Sequence, residues 1–269
     1  MESVGGNLNM KYTLITGASR GIGLAMAEYC ASKGFNLILV ARSCEKLTEI
    51  SERLAKQYKV DVKCIETNLT DESSVQDMLY FCNSQNLNID KLINNAGAGL
   101  YGRFVEIDLQ KQLELMALNQ SALVKMTYNF IPLLKNNPKA FLLNVSSTAC
   151  YQPIPYMSIY AATQSFIQSF TLGLREELKN SHIQVSVLCP GPTATEFFER
   201  AGLNCLPVNS REIKMSPSDV AKVAIEGLMN GISEIIPGTN NTLGAYFSKL
   251  MPNKWIVKTV NSLFAPATV

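Results

Sequence analysis

The chain has 269 residues, 47% hydrophobic and 17% charged, a balance that excludes a disordered polymer and leaves ample apolar surface for a core. Lys and Arg number 24 against 22 Asp and Glu, and the formal charge of +2 offers no basic field for a nucleic-acid partner. Seven cysteines, at 30, 44, 64, 82, 150, 189 and 205, form no Cys-x-x-Cys pair and lack matching histidines, which points to reduced, buried thiols in a cytoplasmic protein and to no metal site.

Residues 1–10 read as a tail without the charged and apolar regions of a signal peptide, and no later segment approaches ~18 uninterrupted apolar residues. Secretion and membrane spanning are therefore not expected. Short, nearly all-apolar runs predict strands at Tyr12–Thr16, Asn36–Ala41, Asp61–Glu66, Lys91–Asn94, Ala140–Val145, Gln184–Leu188 and Glu234–Ile236. Between them, amphipathic stretches predict helices over Gly21–Lys33, Cys44–Tyr58, Glu72–Gln85, Leu109–Leu134, Ser158–Leu178 and Pro217–Met229. Ser216-Pro217-Ser218-Asp219 supplies a cap, a first-turn proline and an acid where the last of these begins. Seven β–α alternations imply right-handed crossovers and a doubly wound, mainly parallel seven-stranded α/β sheet in one domain over 11–240. Residues 190–215 form a Gly-, Pro- and Thr-rich connection of the length used for lids over substrate. Residues 241–269 form an amphipathic extension rich in aromatic residues and lysine. It is expected to pack on the body or at a subunit contact, the alternative being a membrane-surface segment.

The first strand runs into Gly17-Ala18-Ser19-Arg20-Gly21-Ile22-Gly23 and then a helix. A strand, glycine loop and helix in that order expose backbone N–H groups and a positive helix end to a phosphate. Glycine is needed where the chain turns tightly and where backbone approaches a pyrophosphate. The second strand ends in Arg42-Ser43, where an NAD site would place an acid for the ribose 2′-hydroxyl. A carboxylate repels a 2′-phosphate, whereas the guanidinium of Arg42 grips one, with Arg20 adding a second charge. The cofactor reading is NADP(H).

With these residues in hand the chain resembles the short-chain dehydrogenase/reductase family over about 11–240, with a Rossmann-type fold. Asn94-Asn95-Ala96-Gly97 fits the family's NNAG segment, Asn144-Val145-Ser146-Ser147 its serine motif, Tyr160-Ala161-Ala162-Thr163 the start of its Tyr-x-x-x-Lys helix, and Pro190-Gly191 the turn after the sixth strand. The resemblance implies that Ser147, thirteen residues before Tyr160, polarises the substrate oxygen. It makes Tyr160 the general acid or base and Asn119 part of a proton relay. It further places Gly17, Ser19, Arg20, Gly21, Ile22, Gly23, Arg42, Ser43, Asn68, Leu69, Asn95, Ala96, Gly97, Tyr160, Gln164, Pro190, Gly191 and Thr193 around the cofactor. The family's lysine four residues after the tyrosine is here Gln164. Glutamine can hydrogen-bond a ribose but carries no charge to stabilise tyrosinate.

Tyr101, Tyr151, Pro153, Tyr156, Phe197 and Phe198 follow strand ends or sit in the long connection, and are expected to line an apolar pocket at the carboxyl end of the sheet. The lone His182 lies in a polar turn and removes histidine-based triads from consideration. The reading is a hydride-transferring oxidoreductase acting on a hydrophobic carbonyl or alcohol, and the family implies a homodimer or homotetramer. Gln164 supports a rival: a non-catalytic NADP(H)-binding interaction module.

Overall fold

The computed structural model describes residues 10–203 and 215–265. Residues 1–9 of the expected tail, 204–214 of the expected lid with Cys205, and 266–269 lie outside the described residues. Seven strands, β1 (Lys11–Thr16), β2 (Asn36–Ala41), β3 (Val62–Glu66), β4 (Asn88–Asn94), β5 (Ala140–Val145), β6 (Ile183–Leu188) and β7 (Glu234–Ile235), form one sheet. Their order is β3-β2-β1-β4-β5-β6-β7, and every adjacent pair is parallel. The sheet therefore reverses its winding between β1 and β4, and the crevice beyond their carboxyl ends is where open α/β sheets take ligands.

The helices are α1 (Gly21–Ser32), α2 (Cys44–Tyr58), α3 (Ser74–Ser84), α4 (Leu109–Met116), α5 (Leu123–Lys135), α6 (Ser158–Glu177), α7 (Phe197–Arg200), α8 (Pro217–Met229), α9 (Thr239–Leu250) and α10 (Asn253–Phe264). Alternation along the strands divides the apolar residues between two cores. Ile15, Leu37 and Leu39 pack with Met26 of α1, Leu47 of α2 and Leu228 of α8. Leu14, Ile38 and Val40 pack on the other face with Met78 of α3 and Phe130 of α5. Ser216 caps α8, its Oγ accepting from the Asp219 N–H at 3.1 Å, with Pro217 as the first helical residue.

Most bounds fall within two residues of the sequence expectation, and three elements differ further or in kind. β4 begins at Asn88 rather than Lys91 because Asp90 and Lys91 neutralise each other at 2.8 Å inside the core. The Lys91 ammonium also sits 4.2 Å from the centre of the Phe35 ring. The expected helix Leu109–Leu134 is α4 and α5 joined by one π-helical turn, Ala117–Ala122. The extension folds as two helices, α9 and α10, rather than one segment. Cys30, Cys82, Cys150 and Cys189 are buried as expected, but Cys44 is exposed and Cys64 half-buried.

Candidate active site

The turn after β1 is built by close approach. Gly17 adopts φ +66°, and a Cβ there would lie 2.9 Å from the Ala96 Cα. A Cβ on Gly23 would lie 2.3 Å from the Gly17 carbonyl oxygen. Asn95 holds this turn from β4: its Nδ2 donates to the carbonyls of Thr16 at 3.0 Å and Gly17 at 3.3 Å. Thr16 Oγ1 in turn accepts from the Asn95 and Ala96 N–H groups, both at 3.0 Å. Gly97 completes the segment under Asn119, whose Oδ1 a Cβ would meet at 3.4 Å. With the loop so clamped, α1 starts at Gly21 with no side-chain cap and no acid in its first turn. Its N-terminal donors, over Gly21, Ile22 and Gly23 and flanked by half-buried Ser19, suit an anion.

Arg42 stands exposed beyond β2, with no ion-pair partner among the described residues. Ser43 beside it forms the N-cap of α2 without a side-chain cap bond. The other expected phosphate ligand is engaged: Arg20 Nη1 pairs with Glu196 Oε2 at 3.0 Å, joining the glycine loop to the connection before α7. Asn68 donates to Asp71 Oδ1 at 2.8 Å, while Leu69 is buried beneath it. These donors, and the lack of a carboxylate at the end of β2, fit a nicotinamide dinucleotide.

Ser147 and Tyr160 converge. Ser147 leaves β5 extended and its Oγ accepts from the Ala149 N–H at 3.1 Å, starting a 3₁₀ turn over Thr148–Tyr151. Burial pushes the Tyr160 phenol up to about 12, with the Ser147 hydroxyl acting in the opposite direction. Ser146 faces away, its Oγ donating to the Gln164 carbonyl at 2.9 Å, which separates the roles of the two adjacent serines. Asn119 lies on the π-helical turn, a feature that recurs at functional sites. Its amide exchanges two 3.0 Å bonds with the Ala98 backbone, and its Nδ2 also donates to Thr163 Oγ1 at 3.0 Å. Gln164 is buried one turn beyond Tyr160, its Nε2 directed at Thr163 Oγ1 at 3.4 Å. Across the crevice, the Pro190 carbonyl accepts from the Thr148 N–H at 2.9 Å. Thr193 Oγ1 donates to the Gly191 carbonyl at 2.9 Å.

Four of the six expected pocket residues gather near Tyr160. Tyr101, Phe197 and Phe198 pack with Tyr160 around Ile154, Met157 and Ile256, and the Tyr156 ring lies 6.1 Å from that of Tyr101. Phe197 covers Tyr160 directly, ring centres 5.4 Å apart. Tyr151 goes elsewhere: the 3₁₀ turn carries it into a separate cluster with Cys150, Val187 and Cys189, under the Lys249 ammonium. Pro153 is exposed. The sequence reading also missed Glu196, Thr163 and Asn241. Asn241 closes over Gly191 so tightly that a Cβ there would lie 2.3 Å from its Oδ1. Only the Thr-Glu-Phe run after Pro190-Gly191 hinted at the first of these, by placing an acid where the connection crosses the glycine loop.

A family model described as short chain dehydrogenase matches residues 11–205. The bovine protein named very-long-chain 3-oxoacyl-CoA reductase is 32% identical over 191 residues, 70% of this chain and 61% of that protein, so the match spans about three fifths of that relative's length. The Schizosaccharomyces pombe protein named NADP-dependent 3-hydroxy acid dehydrogenase is 29% identical over 238 residues, 86% of this chain and 92% of its own. Among solved structures, a short-chain dehydrogenase from Sphingobium yanoikuyae in complex with NADPH superposes with a TM-score of 0.79 and 29% identity, covering 97% of this chain and 98% of that one.

Proposed function

The chain belongs to the short-chain dehydrogenase family, and on that premise we propose that it is an NADP(H)-dependent oxidoreductase moving hydride between nicotinamide and a carbonyl or secondary alcohol of a hydrophobic substrate. The observation that carries this reading is the meeting of Ser147 and Tyr160 at the carboxyl end of the sheet, the serine hydroxyl acting on the phenol and Phe197 covering it. A bound reduced nicotinamide supplies the hydride. Tyr160 donates its phenolic proton to the carbonyl oxygen, and Ser147 donates a hydrogen bond to that same oxygen. Asn119 positions α6 through Thr163 and stands one hydrogen bond from it for the proton relay. Gln164, one turn beyond Tyr160, would offer a ribose a hydrogen bond without a charge.

The uncapped start of α1, with the Asn95 clamp, would receive the pyrophosphate and Arg42 the 2′-phosphate, with Arg20 shared between that phosphate and Glu196. Two relatives support the cofactor choice: the fission-yeast protein's name specifies NADP, and the Sphingobium structure contains NADPH. The aromatic and aliphatic residues around Tyr160 support an apolar substrate. Fluorescence titration of the native chain tests the cofactor reading: NADPH is expected to bind at least about tenfold more tightly than NADH, the worth of one charge-assisted contact. Arg42→Leu should abolish most of that difference. Equal affinities in the native chain would overturn the assignment.

A further inference from the structure

The extension is built inside out. On α9 the residues turned to the body are small or polar: Ala245 is buried, Ser248 Oγ donates to Gln152 Oε1 at 3.1 Å, and Asn241 Nδ2 donates to the Pro237 carbonyl at 2.7 Å. The residues turned to solvent are Leu243, Tyr246, Phe247 and Leu250, spaced i, i+3, i+4, i+7 along one stripe. Leu243 is 69% exposed and Leu250 84%. An amphipathic helix ordinarily shows the opposite arrangement, and a contiguous exposed apolar stripe marks a surface made to be covered. α10 continues the theme. Ile256 and Val260 face inward, while Trp255, Lys254 and Lys258 are exposed.

Charge identifies the occupant. From Ile235 to the last residue the chain carries three lysines and no Asp or Glu. Lys249 reaches back to Glu234 at 3.4 Å, and neither Lys254 nor Lys258 has an ion-pair partner among the described residues. A second copy meeting this patch across a two-fold axis would set lysines against lysines with no carboxylate of the segment to neutralise them. An anionic surface meets no such repulsion, and Trp and Tyr beside Lys are the side chains suited to a polar–apolar boundary.

We propose that the outer face of α9, with Trp255, Lys254 and Lys258 of α10, docks on the surface of a bilayer containing anionic phospholipid. The helices lie on the membrane and do not cross it: no helix of the described residues is long and apolar enough to span one. The inner face of α10 packs in the cluster that holds Tyr160, and Tyr101 OH donates to the Phe264 carbonyl at 2.6 Å. Docking therefore brings the lipid to the outer side of the helix whose inner side packs in the Tyr160 cluster. The proposal does not rest on the cofactor reading.

Flotation of the full chain with phosphatidylcholine vesicles, with and without phosphatidylglycerol, tests it, with thermal unfolding confirming that each variant is folded. The native chain is expected to float with the anionic vesicles and to release at high salt. Lys254→Gln with Lys258→Gln should weaken binding about tenfold or more, each lysine near an anionic surface contributing several-fold. Leu243→Ser with Leu250→Ser should abolish it. Three results would overturn the proposal: no flotation of the native chain with either vesicle, flotation indifferent to both double variants, or a self-associated native chain that the Leu243→Ser/Leu250→Ser variant converts to monomer without vesicles.

Discussion

Restoring a cation at position 164 is the sharpest perturbation the site permits. Residues 160 and 164 are one helical turn apart on α6, so their side chains share a face about 5–6 Å apart. Tyr160 is pushed up to about 12 by burial, with only the Ser147 hydroxyl acting against it. A lysine ammonium ~5 Å from the phenolic oxygen, at an effective dielectric of ~20, favours tyrosinate by about 3 kcal/mol, or roughly two pKa units. The buried surroundings of Gln164 oppose the charged lysine and reduce that gain without reversing it. Alcohol oxidation needs the deprotonated phenol, so its rate follows the fraction of tyrosinate and rises with pH up to the phenol pKa. In the native chain the rate should climb about tenfold per unit throughout the range from about pH 7 to about pH 10, without levelling. In Gln164→Lys the climb should level near pH 10, and the rate near neutrality should rise by up to about a hundredfold. Initial rates of NADP⁺ reduction with a panel of secondary alcohols measure this directly. An unmoved pH limb in an active, folded variant would refute electrostatic coupling between the two positions. Tight cofactor binding with no turnover by either form would favour the non-catalytic nucleotide-binding module instead.

Glu196→Gln should release Arg20 for the 2′-phosphate and tighten NADPH binding by up to about fivefold, the scale of an exposed ion pair, while leaving NADH binding unchanged. Equal effects on the two dinucleotides would show that Arg20 does not read that phosphate. The adjacent serines should separate cleanly: Ser147→Ala lowers kcat by at least about a hundredfold with cofactor affinity intact, as loss of a substrate-oxygen contact does. Ser146→Ala, which removes the buried bond to the Gln164 carbonyl, should instead cost about 1 kcal/mol of stability in denaturant unfolding. The reverse pattern would exchange their roles.

Strand and helix identity was legible wherever local pattern and tertiary environment agreed, as in β2, whose Leu37–Val40 are all fully buried. β4 was read from Lys91 because hydropathy counts Asp90 as exposed, whereas in the core Lys91 neutralises it. The glycine loop was legible from the types and spacing of its residues, since only glycine fits where Gly23 meets Gly17. Glu196 and Thr163 were not, because their roles depend on partners 176 and 44 residues away in sequence. Tyr151 illustrates a different limit. Position after a strand end predicts nearness to the crevice, but one 3₁₀ turn decides which side of β5 the ring enters. The extension was recognisable as amphipathic, yet periodicity is silent on whether the apolar stripe of α9 points inward or outward.

The contact between Phe197 and Gly99 fixes the cover over the phenol. A Cβ on residue 99 would stand 2.6 Å from the ring tip, so the glycine is a notch into which the phenyl group seats while it covers Tyr160. The four-residue helix bearing that ring has no buried residue of its own. The ring is held instead by its packing in the Tyr160 cluster and by this notch. A methyl group on residue 99 should therefore deny the ring its seat and uncover the phenol.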